Sequence, residues 1–391
     1  MILGRAPHAV LFVGPGSVGK TTLAMDLAAG LLCNDPDPAA RPCRDCRGCR
    51  QVASGNHPDL HRLAPEGPGG QIRIGKASDP EQGTVRHIIG ELSLLPVEGG
   101  ARVVIVEQAH RLNDDAQNAL LKMLEEPPAG VTIILCADDE ECLLPTVRSR
   151  CVRVRLGAVG GREIEDWLGE LGVADAPRAA RLARLADGRP GLALAYAHSA
   201  DAERVRGEIA RSIVDMLSQS RQPRLAAVRE LMKSAGALDS ALDEWRRSVL
   251  ADTAAADGTV PAGGRGKKGK AAKAAAAAVD SDDASGAAGE EATAPKVAAA
   301  DRRSAANTLV EIWSSVGRDL AVARAGGVRQ LHEMVLIDDV RAVAPLVSVA
   351  RLQIFLEQLG KVATQLDENV NPELALDVLA VSWPRVDAAP R

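Results

Sequence analysis

A short run near the start of the chain, Gly14-Pro15-Gly16-Ser17-Val18-Gly19-Lys20-Thr21, limits the fold more than any other feature, because it fits GxxxxGK[ST]. That pattern works only between a buried strand and the N-terminus of a helix. There, glycines let backbone N–H groups converge on phosphate oxygens and the helix end adds positive potential. The flanks agree: Ala9 to Val13 is an uninterrupted apolar run, and Lys20 to Leu32 reads as a helix. In such a loop Gly14, Gly16 and Gly19 shape the cradle, Lys20 reaches the β and γ phosphates, and Thr21, with Thr22 beside it, offers a hydroxyl to Mg²⁺. The candidate ligand is ATP with Mg²⁺. A loop that has kept this pattern without holding nucleotide satisfies the same residues, so that alternative stays open.

The segments downstream extend a strand–helix alternation. Ile72 and Ile74 alternate as in a strand, and Val85, Ile88, Ile89 and Leu92 recur at helical spacing. Val103 to Val106 is an all-apolar run, as expected of a strand buried on both faces of a parallel sheet, and Val131 to Cys136 reads as a further buried strand. Between them Asn113 can cap a helix with Asp114 and Asp115 in its first turn, and Pro127-Pro128 ends it. Ala116, Ala119, Leu120, Met123 and Leu124 give that helix one inward face. A parallel α/β domain follows from this order.

The strand at Val103 should end in the acidic pair of a nucleotide hydrolase, and it ends in Glu107-Gln108. Glu107 keeps a carboxylate for the metal, unless it merely closes a strand. Gln108 stands where a base should polarise water, and an amide cannot take the water's proton, so hydrolysis by this chain alone should be slow or absent.

Cys33, Cys43, Cys46 and Cys49 follow C-x9-C-x2-C-x2-C, a spacing that suits four thiolates around a tetrahedral Zn²⁺. The surrounding Asn34 to Arg50 holds no large apolar side chain, so a metal is the natural source of local order. Four protein ligands leave no open position, which makes the zinc structural. Cys136, Cys142 and Cys151 lack matching partners and read as ordinary thiols, and His57 and His61 are not needed as ligands.

With 391 residues the chain exceeds what one core usually organises, and its 46% apolar and 25% charged content is that of ordinary globular domains. A helical module is expected from about Gly160 to His198. From Ala251 to Arg303 the composition turns to Ala, Gly, Lys and Asp, and reads as a disordered charged insertion, basic over Arg265 to Lys273 and acidic over Asp280 to Glu291. Helical periodicity resumes at Leu309, Ile312, Trp313, Val316 and Leu320 and continues from Leu352 to Leu379. A net charge of −5 and an aromatic set of only Phe12, Phe355, Tyr196 and four tryptophans argue against a chain that coats nucleic acid by stacking. Without a long apolar run or a leader-like start, it reads as a cytoplasmic protein with no membrane partner.

Three of these features, in this order, resemble the bacterial clamp-loader branch of the AAA+ ATPases. They are the cysteine module soon after the phosphate loop, the segment Asn118-Ala119-Leu120-Leu121-Lys122-Met123-Leu124-Glu125-Glu126-Pro127-Pro128, and the triplet Ser149-Arg150-Cys151. The likeness runs from about Pro7 to Leu156, weakens across the helical module, and returns near Asn369-Val370-Asn371-Pro372. It implies a fold that is α/β and then all-α. A P-loop AAA+ domain occupies 1–156 with its zinc module at 33–49, followed by a helical lid at 157–200. A helical collar at 201–250 and 304–391 is interrupted by the insertion 251–303.

It further implies that Arg150, with Ser149 and Cys151 around it, reaches the γ-phosphate of ATP on a neighbouring subunit. Gln108 at the base position and Gly191, in Gly188-Arg189-Pro190-Gly191, where motor members carry an arginine, point to a stator-type member that lends its arginine finger and turns over little ATP itself. The implied partners are delta and gamma/tau-type subunits in a hetero-pentamer, and through them the sliding clamp and primed DNA. The family carries a helix upstream of the first strand, whereas Met1 here lies a few residues before it, so either the start lies further upstream or the adenine pocket is incomplete. An autonomous motor ATPase of the gamma/tau type and a zinc-stabilised nucleic-acid-binding module are the competing readings.

Overall fold

A computed structural model describes residues 7–65, 71–76, 78, 81–98, 100–256, 294–327, 331–367 and 370–386, with backbone alone for 246–256, 294–300 and 367. Its first part is a five-stranded parallel sheet, β1 (Ala9–Val13), β2 (Leu60–Leu63), β3 (Arg102–Val106), β4 (Val131–Ala137) and β5 (Val152–Arg155), in the order β2-β3-β4-β1-β5. Strands β1, β3 and β4 are buried along their whole length, because alternate residues face two different layers of helix. Leu11, Val104 and Ile133 pack in one apolar cluster with residues of α3 (Val85–Leu92) and α4 (Asp114–Glu125). Val10, Ile105 and Ile134 pack in the other with α1 (Lys20–Leu31) and α2 (Arg47–Ala53). Helices on both faces of a parallel sheet make this a three-layered α/β domain.

Local signals explain most boundaries. Asn113 caps α4 by accepting from the N–H of Ala116, and α1 begins at the phosphate loop itself. Two strands escape the sequence reading. Leu60–Leu63 is short and only its ends are buried, and Val152–Arg155, although its Val-Arg-Val-Arg run alternates, is only four residues long and exposed at the sheet edge. Conversely, the alternation at Ile72 and Ile74 yields only an isolated bridge between Ile72 and Leu112, because this stretch leads into α3 instead of extending the sheet.

After a four-residue helix α5 (Pro145–Arg148) the chain is helical beyond β5: α6 (Gly161–Glu170), α7 (Ala176–Ala186), α8 (Pro190–His198), α9 (Ala200–Asp215), α10 (Arg221–Ala256), α11 (Ala294–Arg324), α12 (Ile337–Val343), α13 (Val349–Asp367) and α14 (Pro372–Ser382). The segment expected to be a structureless insertion, 251–303, is helical at both ends, since α10 runs to Ala256 and α11 starts at Ala294; residues 257–293 lie outside the described residues, as does Asn369. One continuous apolar core joins Ile164 of α6 to Trp383, just past α14. The periodic residues Leu309, Ile312, Trp313, Val316 and Leu320 are all buried in it. Trp313, Phe355 and Trp383 meet at its centre, with Phe355 and Trp383 edge to face at 4.6 Å. No helix among the described residues is long and apolar enough to cross a membrane.

Candidate functional site

All five strands run parallel, so every strand's C-terminal end lies on one side of the sheet. The phosphate loop follows β1 there, Glu107 follows β3 and Asp138 follows β4. Gly14 fits because its neighbour leaves no room for a side chain: a Cβ would fall 2.2 Å from the carbonyl oxygen of Leu156. Ser17, at the turn of the loop, adopts a left-handed backbone with φ 60°. Lys20 is buried, 7% exposed, and its ammonium contacts the carbonyl oxygens of Gly14 and Pro15 and Oδ1 of Asp138, each at 2.7 Å. Thr21 lies beside it, half-buried, while Thr22 is exposed.

Glu107 is not a solitary carboxylate. Arg62 of β2 donates to its Oε1 from Nε at 2.8 Å and from Nη2 at 2.5 Å, a charge-assisted pair across adjacent strands. Gln108 follows in a left-handed conformation, φ 49°, and is exposed. The loop is closed from the helical side as well. The N–H of Gly191, in the first turn of α8, donates to the carbonyl of Ser17 at 3.0 Å, and a Cβ at position 191 would meet that oxygen at 2.9 Å. Arg62 and Asp138 were not singled out from the sequence. Asp138 carries a signal, as the first charged residue after a buried strand; Arg62 has none, because its strand is not legible in the sequence.

Cys33, Cys43, Cys46 and Cys49 come together as four sulfurs within 4.8 Å of one another. Cys33 and Cys49 are buried. The Sγ separations of 3.5 Å (Cys33 to Cys43), 3.8 Å (Cys33 to Cys46) and 4.0 Å (Cys43 to Cys49) bracket the edge of about 3.8 Å that a tetrahedron with metal–sulfur bonds of about 2.3 Å requires. Cys46 caps α2, its Sγ accepting from the N–H of Cys49 at 3.4 Å, and the N–H of Cys46 donates to Cys43 Sγ at 3.4 Å. Burial opposes ionisation of Cys46, but the N–H groups of Cys49 and Asn34 and the neighbouring thiols hold it down to about 6. Burial, with Cys33 and Cys46 alongside, pushes Cys49 up to about 12. Four clustered thiols thus resist sharing negative charge, and a divalent cation at the centre would relieve that. The donor set fits a metal. Cys136 and Cys151 are separate thiols that burial pushes up to about 12 and about 11, and Cys142 is exposed.

Arg150 lies between α5 and β5, at the N-terminal ends of the strands. It is one-third exposed. Its Nη2 lies 2.5 Å from Oε1 of Glu125 at the end of α4, and its Nη1 donates to the carbonyl of Thr146 at 2.8 Å and to Ser149 Oγ at 3.3 Å. Val152 pairs with Val10 and Arg155 with Val13. The guanidinium's backbone therefore stands a full strand's length from the phosphate loop, roughly 16 Å for the 5 residues of β1 at about 3.3 Å each.

Sequence relatives agree with this layout. A family model described as DNA polymerase III, delta subunit, matches residues 2–159. The chain is 35% identical over 220 residues to DNA polymerase III subunit delta-prime of Pseudomonas aeruginosa, which covers 55% of this chain and 64% of that one. It is 37% identical over 192 residues to the Escherichia coli subunit delta-prime, covering 49% and 55% of the two chains. A DNA polymerase III subunit tau, from Salmonella typhimurium, is 37% identical over 191 residues, 48% of this chain and 28% of that protein. Over its α/β domain the chain is similar to DNA polymerase III clamp-loader subunits. It spans between about half and two-thirds of the length of these delta-prime relatives, and residues 2–159, which the family model matches, are those of the α/β domain.

Proposed function

We propose that this chain is a delta-prime-like stator subunit of a DNA polymerase III clamp loader, presenting Arg150 to ATP bound by an adjoining motor subunit during sliding-clamp loading in DNA replication. The observation that carries the reading is the separation of the two chemistries in the parallel sheet. Arg150 is accessible at the N-terminal ends of the strands, while the phosphate loop lies at their C-terminal ends. A guanidinium so far from its own loop can stabilise phosphoryl transfer only on another chain. Ser149 and Cys151 position it, one by accepting from its Nη1 and the other by anchoring the turn against the core. Its contact with Glu125 is a surface pair, cheap to exchange for a phosphate.

The chain's own pocket, Gly14 to Thr22 with Glu107, keeps the elements that hold ATP and Mg²⁺ but has an amide at Gln108 and an arginine on Glu107, and we read it as one that turns over little or nothing. Cys33, Cys43, Cys46 and Cys49 would hold a structural Zn²⁺, which supplies no chemistry and fixes the module between α1 and α2. The partners are then delta and gamma/tau-type subunits in a hetero-pentamer, acting in the cytoplasm on the clamp and primed DNA. The test is a reconstituted loader with Arg150→Ala and Arg150→Lys, with assembly checked by gel filtration. Hydrolysis at the adjoining site should fall by about 10³ or more in both variants, since lysine cannot reproduce the planar fork. Unchanged DNA-stimulated ATPase in an intact complex refutes the reading. Turnover by the isolated chain that Lys20→Ala abolishes would instead favour a gamma/tau-type motor.

A further inference from the structure

Asp138 is the first residue after β4, and the phosphate-loop pattern does not include it. The sheet order places β4 between β1, which leads into the loop, and β3, which ends at Glu107. A nucleotide seated on the loop with its metal toward Glu107 has its terminal phosphate in the space between them, over the end of β4. A carboxylate already faces that space. Oδ1 of Asp138 lies 2.7 Å from Lys20 Nζ, and Oδ2 lies 3.6 Å from where a Cβ on Gly16 would sit. The two other contacts of the Lys20 ammonium are the carbonyls of Gly14 and Pro15. An ammonium has three protons to donate, so these three acceptors use them all. Asp138 is itself held from the side: its N–H donates to His110 Nδ1 at 3.2 Å, and its Oδ2 stands 4.0 Å from His110 Nε2.

We infer that Asp138 is the specificity-determining residue of this pocket, an intrachain stand-in for a terminal phosphate that makes the loop select nucleoside diphosphates over triphosphates. The inference rests on residues 14–21 being a nucleotide pocket. A diphosphate can lie in the cradle of backbone N–H groups while Asp138 stays on the outer side of Lys20. A triphosphate must bring its last and most charged group against that carboxylate, and the two compete for one ammonium. Mg²⁺ would ordinarily relieve such crowding, but the carboxylate that should help to hold it, Glu107, is already matched by Arg62.

Titration calorimetry on the full chain with ADP and with ATP, each with excess Mg²⁺, tests this. The wild-type chain should hold ADP at least about ten-fold more tightly than ATP, and Asp138→Asn should bring ATP to or past ADP, a change of about ten-fold or more in their ratio. Asp138→Ser, which removes the charge with a smaller side chain, should do the same and guards against a fold defect peculiar to one variant. Lys20→Ala should lose both ligands. A wild-type chain that holds ATP as tightly as ADP, or holds neither, overturns the assignment, and so does an unchanged ratio in both variants. The readout is binding to this chain's own loop, so failure here leaves the Arg150 reading standing, and the ATPase of a neighbouring subunit does not enter.

Discussion

Removing the carboxylate of Asp59 should destabilise the α/β domain while leaving the helical part of the chain as it was. Asp59 is 1% exposed and Arg102 is 2% exposed, and Nη2 of Arg102 donates to Oδ1 of Asp59 at 3.2 Å. The same carboxylate accepts from the N–H of Val97 at 2.8 Å and of Glu98 at 2.9 Å, and so pins the turn between α3 and β3. Arg102 also donates to the carbonyls of Glu91 and Leu95. Asp59→Ala therefore strands a buried guanidinium and two amides, a loss of about 3–5 kcal/mol, which is a large fraction of a stability of about 5–15 kcal/mol. For a domain of this size that lowers the melting temperature by roughly 6–20 °C. Asp59→Asn keeps an acceptor and should cost about 1–3 kcal/mol.

The assay can separate the two parts of the molecule. Trp167, Trp245, Trp313 and Trp383 all belong to the helical core, so tryptophan fluorescence follows that core while scanning calorimetry sees both. The calorimetric transition of the α/β domain should move and the fluorescence transition should not. Adding Arg102→Met to Asp59→Ala should recover part of the loss, because the orphaned charge goes with it. A cost below about 1 kcal/mol for Asp59→Ala, or strict additivity of the double variant, would refute the account. The pH dependence has a fixed sign. Burial works to raise the pKa of Asp59, but the N–H groups of Glu98 and Val97 and the Arg102 guanidinium outweigh it and hold the carboxyl below its usual range. A lowered native pKa gives stability that is present above the unfolded value of about 3.9 and lost as pH falls below it. Asp59→Asn should flatten the acid limb of the α/β transition.

Chelation should act locally. With a strong chelator, trypsin should cut at Arg44, Arg47 and Arg50, whose side chains are 74%, 73% and 55% exposed, and metal added back should protect them; equal cutting with and without metal counts against a metal-ordered module. Cobalt substitution should give the absorption of a tetrahedral thiolate site, and Cys49→Ala should abolish it; an octahedral spectrum would contradict the four-sulfur geometry. Gly191→Arg should loosen α8 from the phosphate loop, because any Cβ there meets the Ser17 carbonyl at 2.9 Å. Amide exchange at residues 188–193 should accelerate, and unchanged protection would show that the contact tolerates a side chain.

What could be seen in the sequence was whatever local chemistry specifies. The loop Gly14 to Thr21 needs a strand before it and a helix after it, and both are there. The cap at Asn113 and the inward face of α4 follow from hydrogen bonding and helical period. The four cysteines are separated by short intervals, so a single tight turn can gather them. The rest depended on pairing partners far along the chain. Leu60–Leu63 is a strand because β3 lies beside it, and no run of its own announces it. The two ion pairs inside the pocket, Lys20 with Asp138 and Arg62 with Glu107, join residues 118 and 45 apart in sequence, and only the sheet order brings them together. Within 251–303, low apolar content concealed the helical ends carried by α10 and α11, because a helix long enough to start inside a core can continue past it on propensity alone.

The closed pocket and the outward arginine have a common physical basis. In a subunit that turns over nucleotide the helices beside the phosphate loop must move against it, and here movement of α6 to α8 is opposed on both sides. Toward the loop, α8 is tied by the bond from Gly191 to Ser17. Toward α11, Arg189 meets Glu311 at 2.9 Å and Asp187 meets Arg318 at 2.8 Å. Buried residues of α6, α7 and α8 also share one apolar core with α9, α10 and α11. The surface ion pairs contribute little alone. The shared core contributes much more, because swinging these helices would expose apolar area at about 25 cal/mol per Å². A nucleotide can drive such a swing only through contacts that differ between the two positions of these helices. In this chain the two groups best placed to provide that difference, position 191 and Lys20, are a glycine without a side chain and a lysine already satisfied by its own chain. Nucleotide arriving at this loop thus has little to pull on, as the stator role proposed for this chain requires.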